Sequence, residues 1–260
     1  MRTIKLNDEI ERICDFIKKY TKDNGFENVI VGLSGGIDSS LTATLAARAL
    51  GKEHVIGIMM PYRTSHPFSL ADAQKLAAFI DIKTEVIDIS PMVDGYFQTY
   101  EKEADALRRG NYMARTRMCV LYDKSSQYKA LVAGTSNKSE IMTGYSTQYG
   151  DSACAFEPIG HLYKTEVRGM AKILNIPAVI IEKPPTADLW ADQTDEKELG
   201  LTYTRLDSIL NAIMEQKMSE REIIGNGYTQ SEIDRVKHLV KISAFKRRLP
   251  EAMEGVWSDS

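Results

Sequence analysis

Apolar residues along this chain switch repeatedly between two spacings, and the switches predict strands alternating with helices. Residues 29–33, Val-Ile-Val-Gly-Leu, form a short apolar run of the kind carried by a strand buried on both faces. Before it, Ile10, Ile13, Phe16 and Ile17 recur on one helical face, with Asn7 as the expected cap. After it, residues 41–50 read as helix, 55–60 as a second buried strand, 61–67 as a polar loop, 69–80 as helix and 83–89 as a further strand. This order predicts an α/β fold, a doubly wound, mainly parallel sheet flanked by helices.

The stretch 92–110 is charged and only partly helical in pattern, and 111–122 reads as helix. A short strand at 130–133 runs into Gly134 and Thr135, the glycine-rich stretch 144–160 reads as a functional loop, and a helix at 164–174 stops before Pro177. Beyond Pro184 and Pro185 the chain is acidic and loop-like, with Asp188, Asp192, Asp195, Glu196 and Glu198. The C-terminal third is helical, with Ile233, Val236 and Val240 on one face of its last long helix. In a doubly wound sheet ligands bind at the carboxyl ends of strands, so the loops after residues 33 and 133 are where chemistry is expected.

Bulk properties narrow this picture in three ways. A length of 260 residues fits a single domain, 1–260, with a substantial core. A net charge of -3 argues against a dedicated nucleic-acid binder, although Lys246, Arg247 and Arg248 form a local basic cluster. Charged residues interrupt the N-terminal segment, and no apolar run reaches the roughly 18 residues of a membrane span, so no membrane partner is expected. Cys14, Cys119 and Cys154 fit neither a disulfide framework nor a zinc site, which points to the reducing cytoplasm.

The loop after the first strand carries the most chemistry. In Ser34-Gly35-Gly36-Ile37-Asp38-Ser39-Ser40, paired glycines let the backbone turn sharply beside an anion, and N–H groups at the following helix start point at it. Ser34, Ser39 and Ser40 add hydroxyls. Asp38 would repel a polyphosphate unless a hard cation such as Mg2+ lay between them. The competing reading is an ordinary helix cap on a strand-to-helix turn. Five fixed residue types in that order recur by chance about once in a million positions, which favours the phosphate loop. The absence of a Gly-x-x-x-x-Gly-Lys pattern rules out a Walker loop. The run resembles the pyrophosphate loop of the ATP pyrophosphatases, which cleave ATP between its α- and β-phosphates and adenylate a substrate.

A second strand–loop–helix junction follows at Gly134-Thr135-Ser136-Asn137-Lys138-Ser139-Glu140, where Glu140 reads either as an anion- or metal-site residue or as a dipole-favoured first-turn glutamate. Together with Ala114-Arg115-Thr116-Arg117-Met118, Tyr149-Gly150-Asp151, Lys164-Thr165-Glu166-Val167, Pro185-Thr186-Ala187-Asp188-Leu189 and Asp195-Glu196-Lys197-Glu198-Leu199-Gly200, it resembles, in order and spacing, the ammonia-dependent NAD synthetases.

That resemblance implies an adenine nucleotide alpha hydrolase-like fold. It also implies amidation of deamido-NAD to NAD through an acyl-adenylate, with ATP as co-substrate, ammonia as nitrogen donor and a homodimeric assembly. Carried over by position, Gly32, Leu33, Ser34, Gly35, Gly36, Ile37, Asp38 and Ser39 would wrap the ATP phosphates, with Thr135, Lys164 and Thr186 as further ATP contacts. Asp38 and Glu140 would hold Mg2+, and Arg115, Gln148, Phe245 and Lys246 would meet the dinucleotide. Catalysis would rest on Asp38, Lys164 and Asp151, the last receiving or orienting ammonium; a turn-forming aspartate after Gly150 is the alternative.

Other readings stand beside these. Arg115 could be a surface helix residue, with Arg117 on another face of the same helix. Lys164 could be a plain first-turn lysine, a position the helix dipole disfavours without a nearby anion, and Thr186 a turn residue. His161 and Trp190 read as structural. Three positions depart from the common family pattern, all on the dinucleotide side: Gln148 in place of a lysine, Ala155 in place of an aspartate and Phe245 in place of a histidine. Another adenylating ligase with the same loop, or a silent ATP-binding regulator, would also carry the first motif; retention of Asp38, Glu140 and Lys164 argues against the latter. No glutaminase pattern accompanies the three cysteines.

Overall fold

The computed structural model describes residues 4–186, 188, 193–251 and 253. Four strands, β1 (Asn28–Gly32), β2 (Val55–Met59), β3 (Lys83–Val86) and β4 (Ala130–Val132), form one parallel sheet in the order β3-β2-β1-β4. Register pairs Val29 with Val55 on one side of β1 and Val29 with Leu131 on the other. The winding direction reverses between β1 and β4, so their carboxyl ends open a crevice.

The helices are α1 (Leu6–Asp23), α2 (Ile37–Leu50), α3 (Pro67–Ile80), α4 (Ser90–Tyr100), α5 (Ala106–Tyr128), α6 (Lys138–Thr143), α7 (Lys164–Ile173), α8 (Ala178–Ile181), α9 (Asp195–Leu199), α10 (Tyr203–Met214), α11 (Glu220–Gly225) and α12 (Gln230–Ile242). Alternation along β1 sorts them into layers. Val29 and Val31 face a core shared with α1, α2, α3 and α7, through Ile13, Leu41, Leu45, Leu76 and Met170. Ile30 points the other way, to Val93 and Phe97 of α4 and Met113 of α5. A third cluster joins Tyr163 and Leu199 to Leu206, Leu210 and Val236 of α10 and α12, giving the expected helical C-terminal part.

Several boundaries differ from the sequence reading. Helix α1 starts at Leu6 with Lys5 at its cap, so Asn7 lies within the first turn. Helix α2 starts at Ile37, which puts Asp38, Ser39 and Ser40 on the helix and leaves only residues 33–36 as loop. The charged stretch after Met92 divides into α4 and the first turns of α5, whose cap is Asp105, accepting from Arg108 N at 2.8 Å. The third strand ends at Val86, not at residue 89. The acidic stretch beyond Pro185 folds into helix at α9. The glycine-rich stretch is irregular as expected, but residues 155–157 run alongside β4: Ala155 N donates to Val132 O and Gly134 N to Phe156 O, each at 2.8 Å. Trp190 and Asp192, with Ala187 and Leu189 of the Pro-Thr-Ala-Asp-Leu motif, lie outside the described residues.

Candidate active site

The loop after β1 is shaped by contact with α3. Gly35 has φ +76, and a Cβ there would come within 2.2 Å of the Ser69 carbonyl oxygen, so glycine is required on both counts. Ser40 Oγ and Ser39 Oγ donate to Gly36 O at 2.7 and 3.1 Å, and Ser34 Oγ lies 3.0 Å from Ser39 Oγ. The first helical bond of α2 runs from Ser40 N to Gly36 O, which leaves the N–H groups of Ile37, Asp38 and Ser39 ahead of the helical ladder for an anion.

Asp38 leaves the first turn of α2 towards two other helix starts. Its Oδ1 accepts from Asn137 Nδ2 at 2.8 Å and its Oδ2 from Lys164 Nζ at 2.5 Å. Asn137 caps α6 in a reciprocal box with Glu140, whose N–H donates to Asn137 Oδ1 at 3.1 Å. Glu140 Oε1 accepts from Lys164 Nζ at 2.9 Å. The two predicted metal carboxylates therefore converge on one point, at present the Lys164 ammonium. Behind it, the fully buried Asp207 ties the helix starts together: it accepts from Ser139 Oγ at 2.5 Å and from Thr165 N at 2.9 Å, while Ser139 Oγ accepts from Lys164 N at 3.0 Å.

Charge explains why a lysine begins α7. Asp38, Glu140 and Asp195 surround Nζ, and the Tyr203 ring lies 5.1 Å away. Burial alone would drive the proton off Lys164, but the three carboxylates outweigh it and hold the ammonium above its ordinary value. One cation cannot satisfy three anions. Burial, opposed by Lys164 and reinforced by Asp38, holds Glu140 above the usual carboxylate range. Burial likewise raises Asp195, which accepts from Tyr203 Oη at 3.1 Å. The site has a deficit of positive charge. Two converging hard carboxylates suit Mg2+, which takes one or two carboxylates and completes its shell with phosphate oxygens and water.

These groups line one wall of a cavity of about 630 Å³. Gly32, Leu33, Ser34, Gly36, Ile37, Asp38, Ser39, Thr135, Glu140, Lys164 and Thr186 all border it, as do Asp151 and Lys246. Thr186 Oγ1 also accepts from Asp188 N at 3.1 Å, so it closes a turn at the rim. Asp151 accepts from Thr147 N at 2.8 Å. Much of Asp151 is open to solvent through the cavity, yet protein surrounds its carboxyl and burial raises its pKa, an effect that this solvent access moderates.

The dinucleotide side departs further from expectation. Arg115 points away from the cavity into a small hollow beside Tyr96 and Tyr112, and its Nε donates to Gln148 O at 3.3 Å. Arg117 lines the cavity instead, with Nε donating to Met60 O at 3.0 Å. Gln148 and Phe245 do not border the cavity, and Phe245 is 59% exposed. Lys246 Nζ donates to Gly144 O at 2.8 Å and Ser146 O at 2.6 Å. Sequence reasoning gave no role to Asn137, Asp195, Tyr203 or Asp207. Asn137 belongs to the 134–140 motif and Asp195 to the 195–200 motif, whereas Asp207 carries no local signal. His161 does not border the cavity, and its Nε2 lies 2.8 Å from Glu9 Oε1.

Comparison with known proteins bears on this geometry. A family model described as NAD synthase matches residues 9–250. The NH(3)-dependent NAD(+) synthetase of Fusobacterium nucleatum is 46% identical over 247 residues, covering 95% of each chain. Among solved structures, the NH3-dependent NAD synthetase of Campylobacter jejuni, in complex with the nitrate ion, is 37% identical with a TM-score of 0.82, covering 97% of this chain and 100% of that one. The NMN synthetase of Francisella tularensis is 28% identical with a TM-score of 0.87, at the same coverages.

Proposed function

The chain belongs to the NAD synthase family and is a carbon–nitrogen ligase that uses ATP and ammonia to amidate deamido-NAD to NAD; we propose how its cavity carries this out. The observation that carries the reading is the convergence of Asp38 and Glu140 on one point beside the start of α2. The N–H groups of residues 37–39 bind the ATP phosphates, with Thr135 and Thr186 as further contacts. Asp38 and Glu140 hold Mg2+, which when bound neutralises polyphosphate charge.

A carboxylate resists ammonia because oxide is a poor leaving group and negative charge repels nucleophiles. The substrate carboxylate attacks the α-phosphorus, the bond to the β-phosphate oxygen breaks, and pyrophosphate leaves with the electron pair. Ammonia then attacks the acyl carbon and AMP departs, releasing one proton. Asp151, on the cavity wall, orients ammonium and accepts its proton. Lys164 neutralises part of the charge of the two carboxylates and borders the cavity where the nucleotide binds.

The dinucleotide runs along the cavity to Lys246 and leaves it towards Arg115, on a surface shared with a second copy of the chain. Helix α5 supports a homodimer: over 23 residues it buries only Gly110, Met113 and Ala114, and it exposes Leu107 and Tyr122. Three free cysteines are in keeping with a cytoplasmic enzyme. No described helix is long and apolar enough to cross a membrane.

The test is ATP–pyrophosphate exchange, run without ammonia and with one added carboxylate at a time. Exchange that depends on deamido-NAD and on Mg2+ supports the mechanism. Exchange in the absence of any carboxylate counts against it. A mononucleotide substrate is a second reading, favoured by the likeness to an NMN synthetase and by Gln148, Ala155 and Phe245. Nicotinate mononucleotide supporting exchange better than deamido-NAD would decide for it.

A further inference from the structure

Lys164, whose ammonium bridges Asp38 and Glu140, is not the sole cation within reach of the nucleotide phosphates. Another cation borders the cavity on the α3 side of the loop. Lys183, in the segment after α8, borders the same cavity as Gly36 and Ile37. Its Nζ donates to Ser69 Oγ at 3.3 Å and to Asp72 Oδ2 at 3.2 Å. Ser69 is the α3 residue whose carbonyl presses on Gly35, so the ammonium is held beside the phosphate loop itself.

An ammonium has three donors, and two are occupied, which leaves one for the cavity. The Asp72 side chain is 4% exposed and has Lys75 at 3.8 Å as a second cation, so it remains a fixed anchor whether or not Lys183 shifts. Arg168, one turn beyond Lys164 on α7, also borders the cavity and pairs with no carboxylate among the described residues.

We propose that Lys183 is a catalytic cation for the leaving pyrophosphate, held in place by Asp72 and Ser69, with Arg168 as a second charge on the same wall. The proposal rests on the adenylation reading of the site. As the bond from the α-phosphorus to the bridging oxygen breaks and the electron pair moves onto pyrophosphate, Lys183 donates a hydrogen bond to it and keeps its proton. A donor already in position at the growing charge favours the transition state without reorganisation.

The experiment compares wild type with K183A, K183R and D72N in the full chain, reading pyrophosphate inhibition of amide formation and ATP–pyrophosphate exchange. K183A is expected to weaken pyrophosphate inhibition and slow exchange by roughly tenfold or more, the size of a lost charge-assisted hydrogen bond. The KM for deamido-NAD stays within about twofold, since uniform binding of that substrate is untouched. K183R recovers most of the loss. D72N weakens pyrophosphate inhibition by a smaller factor and has no further effect in the K183A background, because it acts through Lys183.

Pyrophosphate inhibition of K183A equal to that of wild type overturns the proposal, as does an equal D72N effect with and without Lys183. A K183A defect that Arg does not recover, accompanied by a lowered melting temperature, also overturns it in favour of a structural role. Absence of exchange in the wild type is a different failure: it overturns the adenylation reading and the role of Lys183 with it.

Discussion

At the end of the cavity proposed for the ATP phosphates, Asp38, Asn137, Glu140 and Lys164 hold one another by side chains from the starts of three helices, α2, α6 and α7. At the other end, Lys246 on the cavity wall and Arg115 outside it are held by backbone carbonyls of Gly144, Ser146 and Gln148. The difference bears on what each end tolerates. Side chains that satisfy one another in a buried cluster fix each other's identity, since removing one strands its partner. A backbone carbonyl accepts from any donor that reaches it. All three departures from the common family pattern, Gln148, Ala155 and Phe245, fall outside the first cluster.

The largest break in this comparison is Asp38→Asn. It keeps the shape of the cluster but removes a charge from the point where Glu140 and Lys164 converge. ATP–pyrophosphate exchange is expected to fall by roughly 10³-fold or more, with the fold intact by circular dichroism. Near-normal exchange at saturating Mg2+ would sink the metal assignment. Asn137→Ala is expected to cost less, about 10- to 100-fold in exchange, because Asp38 keeps Lys164 but loses its orienting bond. The same change removes the α6 cap, at about 1 kcal/mol of stability. A rate loss no larger than that of a cap mutation elsewhere, such as Ser219→Ala, would make Asn137 merely structural.

Much of the first end was legible in the sequence because it is written in contiguous runs at strand ends. Ser34 to Ser40 and Gly134 to Glu140 each follow a buried strand, and the 3-2-1-4 strand order brings them together at the sheet's reversal point. What was not legible depends on contacts distant in sequence. Asp207 reaches Ser139 across 68 positions, and nothing around it in α10 marks it. Lys164 was read as a phosphate ligand from its unfavourable place at a helix start. The structure supplies other anions, Asp38, Glu140 and Asp195. Arg115 and Arg117 could be sorted only by their faces on α5, and the helix turns Arg117 inward.

Glu157 sharpens the comparison from behind the phosphate end. Its Oε2 accepts from Ser136 N at 3.1 Å, and a Cβ on Gly134 would meet its carboxyl at 2.3 Å, so it packs directly against the loop that carries Thr135 and Asn137. Burial pushes Glu157 up to about 7 from an ordinary 4.5. The folded state then binds more protons than the unfolded state between those values, so this group lowers stability as pH rises through that window. The cost is absent below about pH 4.5 and complete above about pH 7. Glu157→Gln keeps an acceptor for Ser136 and removes the ionisation. Relative to wild type, the variant should gain on the order of 1–3 kcal/mol between pH 5 and pH 8 in urea unfolding. Parallel stability curves across that range would show that Glu157 does not titrate there.

The smallest effect is expected where backbone carbonyls do the holding. Lys246→Met removes two bonds to the loop that leads into Gln148 and Asp151, but leaves the cluster around Asp38 untouched. Burial already lowers the Lys246 pKa, with Asp151 opposing and Arg115 reinforcing the shift, so the ammonium is only partly compensated in place. Its loss should loosen the 144–151 loop rather than collapse it. The KM for deamido-NAD is expected to rise by about three- to tenfold, the range of one or two modest hydrogen bonds, with the KM for ATP unchanged. A matching rise in the KM for ATP would mean that the two ends of the cavity are coupled through the loop. The contrast between a side-chain cluster and a backbone-held rim would then fail as a division of labour.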